Sequence, residues 1–282
     1  MPSRESFAYR RAAQMKAVRA QESTAVVVDN IYTKAANDFQ TFCTVLDKPP
    51  AKHMLEWHQH LITGESNKYL LDIAGPNLDI LSPRGSAKST VLNLFTAWII
   101  GRHTSAQLPL QIIYVSYNIN TAIPKSRIIK QIIDSMEFKK IFPRVKLKTG
   151  MQSDVGWSID FEYAGIPRVG DEEFTLRAAG LRGSITSKRA HLVIIDDPIK
   201  SSTDIKNPSI REEMNNNWSS VIAPIIFEGG RSICLGTRFH PLDIHKTLFI
   251  ESKGWKQVTQ EALTYDNLGG VRSYWPEQWS VS

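Results

Sequence analysis

The sequence predicts an α/β domain, a mainly parallel sheet flanked by helices, with a small N-terminal helical subdomain. Three observations carry this. From Leu78 onwards, short apolar runs alternate with amphipathic helical stretches, the pattern of strands joined by crossover helices. The run His191-Leu-Val-Ile-Ile195 lacks polar alternation, as in a strand covered on both faces. The 282 residues are 42% apolar and 22% charged, which suits a buried core and excludes a disordered chain, a collagen repeat and a coiled-coil rod. The expected division is a helical arm or lid over 1–55, a core over 56–265 and a linker over 266–282.

Each element follows from local sequence. Residues 4–22 predict a helix carrying Arg4, Arg10, Arg11, Lys16 and Arg19 among alanines, a solvated arm or, alternatively, a contact surface for DNA or a partner. A second helix is expected over Thr33–Leu46, stopping at Pro49 and Pro50, and a third over Lys52–Thr63. Leu78–Leu81 is a strand and Ser89–Arg102 a helix with a broad apolar face. Gln111–Ser116 is a strand and Lys125–Ser135 a helix. Two further strands are expected at Ser158–Tyr163 and Glu173–Arg177. After the buried strand at 191–195 come a helix (Ile210–Ile222), a strand (Arg231–Leu235), a helix (Leu242–Glu251) and a last strand (Trp255–Gln260).

Composition sets the surroundings. Lys plus Arg number 34 against 28 acids, a net charge of +6 that leans towards a polyanionic partner. The cysteines, Cys43 and Cys234, are far apart, which fits a reducing compartment rather than a disulfide framework. Ser3–Arg11 is charged and reads as no signal peptide. The longest apolar stretch, Val91–Ile100, is broken by Asn93 and Thr96 and falls short of the ~20 residues of a membrane span.

Four motifs carry chemistry. Ser82-Pro-Arg-Gly-Ser-Ala-Lys-Ser-Thr90 lies between a strand and a helix, where backbone N–H groups and a helix N-terminus can face phosphates. Pro83, Arg84, Gly85, Ser86, Ala87, Lys88, Ser89 and Thr90 would line ATP, with Lys88 on the β/γ-phosphates and the Ser89 hydroxyl on Mg²⁺. In G-x-x-x-x-G-K-[ST] the two glycines fall at Ser82 and Ala87, so the loop is a variant form; an ordinary strand-to-helix turn is the alternative. Leu192-Val-Ile-Ile-Asp196-Asp197-Pro198 ends an apolar strand in two acids. Asp196 would hold the metal and Asp197 would orient and deprotonate water; the alternative is a helix cap before Pro. In Leu235-Gly-Thr-Arg-Phe-His240, Thr237 could sense the γ-phosphate and Arg238 relay its state. In Glu56-Trp-His-Gln59, the Gln59 amide could bond both edges of adenine. Arg182 and Arg189 precede the acidic strand, and a planar guanidinium suits a transferring phosphoryl group.

In this order the motifs resemble the ATPase domain of the large terminase subunit, the DNA-packaging motor of tailed phages, over about residues 50–280. The resemblance rests on Arg84–Ser89, on Ile195–Pro198 preceded by the Gly/Arg-rich Gly180–Arg189, on Gly236–His240, and on Tyr274-Trp-Pro-Glu277, which looks like that family's linker into a nuclease domain. It implies a P-loop NTPase fold of RecA/ASCE type, ATP and Mg²⁺ as ligands, and hydrolysis coupled to translocation of double-stranded DNA. Arg84 joins Lys88 in neutralising the phosphates, and Arg182 or Arg189 completes the site, on a neighbouring subunit or in the same chain. The implied partners are the procapsid portal, a small terminase subunit and further copies in a ring, by resemblance a pentamer. The implied setting is the host cytoplasm and, transiently, the procapsid, without secretion or a membrane. Cutting of DNA is expected only in a longer parent chain. The family's acidic pair is often Asp-Glu; here it is Asp196-Asp197. The rivals are a superfamily-2 helicase, which expects an Asp-Glu box and a second RecA-like domain, and a non-hydrolysing capsid docking module.

Overall fold

The computed structural model describes residues 30–167, 174–183, 185, 189–246, 253–265, 267 and 270–280. The basic helix expected at 4–22 lies outside them, as does the second half of the helix expected at Leu242–Glu251.

One eight-stranded sheet organises the chain. Its strands are β1 (Asn77–Leu81), β2 (Ile112–Ser116), β3 (Leu147–Gln152), β4 (Gly156–Ile159), β5 (Leu176–Gly180), β6 (Ala190–Asp196), β7 (Ile226–Gly236) and β8 (Trp255–Thr259), in the order β3-β4-β5-β2-β6-β7-β1-β8. The six from β5 to β8 are parallel, and β3 and β4 extend one edge antiparallel. The α/β class read from the sequence is the class found. β7 lies between β1 and β6, so the strand before the 82–90 loop and the acidic strand are one strand apart. Parallel register brings the strand ends level: Leu81 pairs with Gly236, Asp196 with Leu235, Val115 with Ile195 and Ser116 with Gly180. Ligands of such sheets bind beyond this carboxyl edge.

Both faces of the sheet are covered. Ile112, Tyr114, Leu192 and Ile194 point to one core, and Ile113, Val115, Val193 and Ile195 to the other, the period of two that strands impose. The first core takes up α4 (Lys88–Ser105), which is buried nearly all round because the sheet lies on one side and the N-terminal helices on the other. The second takes up α9 (Pro208–Asn217) and the π-helical turn Trp218–Ile222 that extends it. Among the described residues no helix is long and apolar enough to cross a membrane.

Several elements depart from the sequence reading. The helix expected at Thr33–Leu46 is two, α1 (residues 30–37) and α2 (Phe39–Val45), because the Asp38 side chain caps α2 at the Thr41 N–H. The next helix, α3, runs Lys52–Leu61. The helix expected from Lys125 begins at Ile119: α5 (Ile119–Asp134) holds Pro124 inside it and starts in a reciprocal cap between Asn118 and Thr121. α6 (Met136–Ile141) follows at once, capped by Ser135. The strand expected at Ser158–Tyr163 stops at Ile159, since Asp160 caps the short helix α7 (Phe161–Ala164). The strand expected at Glu173–Arg177 lies further on, at Leu176–Gly180. The last described elements are a hairpin, β9 (Leu263–Tyr265) with β10 (Val271–Ser273).

A buried arginine ties the N-terminal helices to the sheet. Arg231 of β7 is 1% exposed and donates to the carbonyls of His60 and Leu61 at the end of α3 and of Ile73 and Pro76 before β1, at 2.8–3.0 Å. Four carbonyl dipoles, two at a helix C-terminus, take the place of a carboxylate. Burial lowers its pKa to about 10.

Three buried histidines make stability pH-dependent. Burial lowers His58, His103 and His191 to about 4. His103 donates from Nδ1 to Ile99 O and accepts the Leu71 N–H at Nε2, so a proton at Nε2 would oppose an N–H. His191 Nδ1 likewise accepts the Gln111 N–H. In the unfolded chain these rings take a proton below their usual 6.5, while in the fold they stay neutral to about 4. Stability should therefore fall as pH drops from 6.5 towards 4, at roughly 1.4 kcal/mol per pH unit for each ring. A urea midpoint that does not fall between pH 7 and pH 5 would contradict this.

Candidate active site

The loop after β1 is shaped by its own side chains. Ser82 N–H bonds Gly236 O, the Ser82 hydroxyl donates to Ser86 Oγ at 2.8 Å, and Ser86 in turn donates to Pro83 O. Gly85 is left-handed at φ +77°, and so is Ala87 at φ +60° where α4 begins. Ala87 thus takes the conformation that glycine takes without strain, at a cost of ~1–2 kcal/mol. A methyl group on Gly85 would lie 2.7 Å from Trp279, whose ring rests on the bare Cα. Arg84 is exposed, bonds Lys200 O across the site and lies 4.9 Å over the Phe239 ring.

Lys88, 4% exposed, donates to Pro83 O (2.8 Å), Ser82 O (3.4 Å) and Thr237 Oγ1 (3.0 Å), and its Nζ is 3.8 Å from Asp197 Oδ1. Burial pulls its pKa down, against the opposing pull of Asp197 and Asp196. The Ser89 hydroxyl donates to Asp196 Oδ1 at 3.0 Å. Asp196 is buried; its Oδ2 lies 3.1 Å from the Tyr114 hydroxyl and 3.4 Å from Lys125 Nζ. Its backbone carbonyl accepts from Ser116 Oγ. Asp197 follows with φ +45°, a strained backbone that aims its half-exposed carboxylate into the site. Its sheltered setting raises its pKa, which Lys88 pulls back. The helix-cap alternative for this pair fails, because the next helix, α8 (Ser202–Lys206), begins further on.

These side chains line one cavity of about 260 Å³, shared by Arg84, Ser89, Tyr117, Lys125, Asp196, Asp197 and Thr237. A hydroxyl and a carboxylate oxygen 3.0 Å apart at its base are hard donors of the kind Mg²⁺ takes. Lys125 beside Asp196 shows that a positive charge is accommodated there.

The coupling segment is stapled in place. Asp243 accepts the N–H groups of Phe239, His240 and His245. The His245 ring packs on Gly236, where a Cβ would approach Cε1 to 2.6 Å, and its Nδ1 is 2.9 Å from the buried Asp79 carboxylate, which also accepts from Gln257. This fixes Thr237, whose hydroxyl donates to Ser82 O. Arg238 points away, bonding Pro241 O in solvent.

Of the expected residues outside the loop's backbone, Gln59, Thr90, Arg182 and Arg189, like Arg238, do not line the cavity. Gln59 sits on the exposed face of α3; the residue of α3 that reaches the loop is His53, whose Nε2 is 3.2 Å from Ser86 O. A further cavity of about 630 Å³, lined by Lys52, His53, Glu56 and the C-terminal hairpin, adjoins it there. Arg189 precedes β6 and stacks on Phe227, so it lies at the amino end of that strand, ~20 Å from Asp196 at about 3.3 Å per residue. It cannot serve its own chain's site. Arg182, after β5, stands at the rim: it pairs with Glu213 at 2.6 Å and donates to the Tyr117 hydroxyl at 3.1 Å. Thr90 is exposed in the first turn of α4 and faces a separate groove beside α5. Sequence reasoning missed Tyr114, Lys125, Asp243 and His53.

No family model matches the chain. Against individual proteins, 241 residues, 83% of the chain, align at 24% identity with the terminase large subunit of enterobacteria phage T3. The chain is similar to a phage large terminase subunit. It spans 37% of that relative's length. Solved structures with a related arrangement include a mutant ATPase domain of the Thermus phage P74-26 large terminase. It is 11% identical with a TM-score of 0.47, and the match covers 78% of this chain and 85% of that one. Another is the N-terminal domain of the DNA packaging ATPase of bacteriophage phi29. It is 15% identical with a TM-score of 0.41, and the match covers 68% and 93%.

Proposed function

We propose that this chain is the ATP-hydrolysing part of a phage DNA-packaging motor, with the core at about residues 56–265. The observation that carries the proposal is that Ser89, Asp196, Asp197 and Thr237 line one cavity at the carboxyl edge of a parallel sheet while the buried Lys88 contacts Thr237 and Asp197. Lys88, with Arg84, neutralises the phosphates and the loop N–H groups orient them. Ser89 and Asp196 would hold Mg²⁺, which would supply charge neutralisation on the phosphates. Asp197 orients the attacking water and accepts its proton. Thr237, bonded to both Lys88 and Ser82, carries the state of the loop into the Gly236–His245 segment.

Hydrolysis in this reading drives double-stranded DNA into a procapsid. The chain works in the host cytoplasm as a ring of copies on the portal, supplied with DNA by a small terminase subunit. The net charge of +6 suits a salt-sensitive, sequence-independent hold on DNA. Purified chain given Mg²⁺ and ATP is expected to release phosphate, and double-stranded DNA to accelerate the release at low salt and lose that effect as salt rises. Absence of phosphate release with and without DNA, at protein concentrations high enough to assemble a ring, would overturn the proposal.

A further inference from the structure

Beyond Arg84 and Lys88, the cations around the cavity differ from the set the sequence suggests. Arg189 is at the far end of β6, and Arg182 is committed to Glu213 and Tyr117 at the rim. The wall opposite the phosphate loop is instead formed by α5, whose Thr121 and Lys125, one turn apart, both face the cavity. Lys125 is 28% exposed, on the solvent side of a carboxylate that is 1% exposed. Its Nζ touches Asp196 Oδ2, while Ser89 occupies Oδ1.

We propose that Lys125 is a second phosphate-binding cation of this site, meeting the terminal phosphate of ATP from the wall opposite Lys88. The proposal rests on the ATPase reading above and deepens it. Lys125 balances the charge of Asp196 in this structure. Ser89 and Asp196 would hold a divalent ion, whose positive charge would take the place of the ammonium beside Asp196. The four-carbon stem of lysine lets the head group swing without moving the backbone. One divalent ion, Lys88 and Arg84 together match the charge of a triphosphate but leave that of Asp196 and Asp197 uncompensated, so a further cation is favoured there, and an ADP tail lacks the phosphate it would meet. Charge placed where it grows in the transition state is worth most in a sheltered site.

The test compares nucleotides as well as rates. With Mg²⁺ present, Lys125→Met and Lys125→Gln should weaken binding of ATPγS about tenfold or more while changing ADP binding less than twofold. Turnover should fall ~10²-fold, and Lys125→Arg should restore part of both. A role confined to holding Asp196 in place would affect ATPγS and ADP alike. Equal losses for the two nucleotides, or no loss for either, would overturn the proposal, as would rescue absent from Lys125→Arg when that variant melts like the parent. Failure of the parent chain itself to bind ATPγS would instead overturn the ATPase reading, and this proposal with it.

Discussion

Lys88→Ala is expected to reduce ATP hydrolysis below detection while leaving the fold in place. The side chain is buried, but its partners are two carbonyls of its own loop, the Thr237 hydroxyl and the neighbouring Asp197, none of them in the hydrophobic core. Removing a charge that burial already disfavours also relieves a desolvation cost. What is lost is the ammonium that meets the phosphates, an electrostatic contribution worth at least ~10²–10³ in rate in sites of this kind. Phosphate release and thermal melting, measured on the same preparation, decide the matter. Near-parental phosphate release would remove the basis of the ATPase assignment, and a collapse of the melting transition would show that Lys88 is structural.

Asp197→Asn is expected to be the next most damaging change, and to act on a different step. Asn adopts the left-handed backbone as readily as Asp, so the φ of +45° is retained. The amide keeps the shape but cannot accept a proton, so turnover should drop ~10²–10⁴-fold while a fluorescent ATP analogue still binds. Asp196→Asn should show the opposite split, because its carboxylate bonds Ser89 and lies beside Lys125: Mg²⁺-dependent binding should weaken first. Titrations that assign the binding loss to Asp197 and leave Asp196→Asn binding intact would reverse the two roles.

The parts of the fold legible in the sequence are those whose signal is local. The turn after β1 and the acidic strand stand out because an apolar run closed by polar residues marks a strand end, and parallel register then levels the strand ends. Side-chain caps are the commonest cause of misplaced boundaries. Asp38, Asn118 and Asp160 each start a helix where apolar periodicity runs on or has not begun. Pro124 hides the start of α5, and with it Thr121.

The residues around the site divide in the same way. Tyr114 sits in the middle of a fully apolar strand and reads as core until its hydroxyl is seen between Asn93 and Asp196. Asp243 has a local signal, an acid two residues after Pro241 at a turn, but its three N–H partners emerge only in the fold. The Gln59 amide has the chemistry for adenine, yet the helical period, which buries 53, 54, 57, 58 and 61 of α3, turns it outward. The position of Arg189 follows from strand direction alone, since a residue just before a parallel strand cannot stand at its carboxyl end.

The Trp279 ring on the bare Cα of Gly85 makes the loop optically readable. Of the seven tryptophans, Trp57, Trp98, Trp157 and Trp218 are 0–6% exposed, Trp255 and Trp275 are half-buried, and Trp279 is 47% exposed. A water-soluble collisional quencher therefore reaches Trp279 before the others. Any change in the peptide planes around Gly85 alters the surroundings of that one indole, so the chain carries its own emission probe beside the phosphate loop, and loop rearrangement can be followed in real time without attaching a dye.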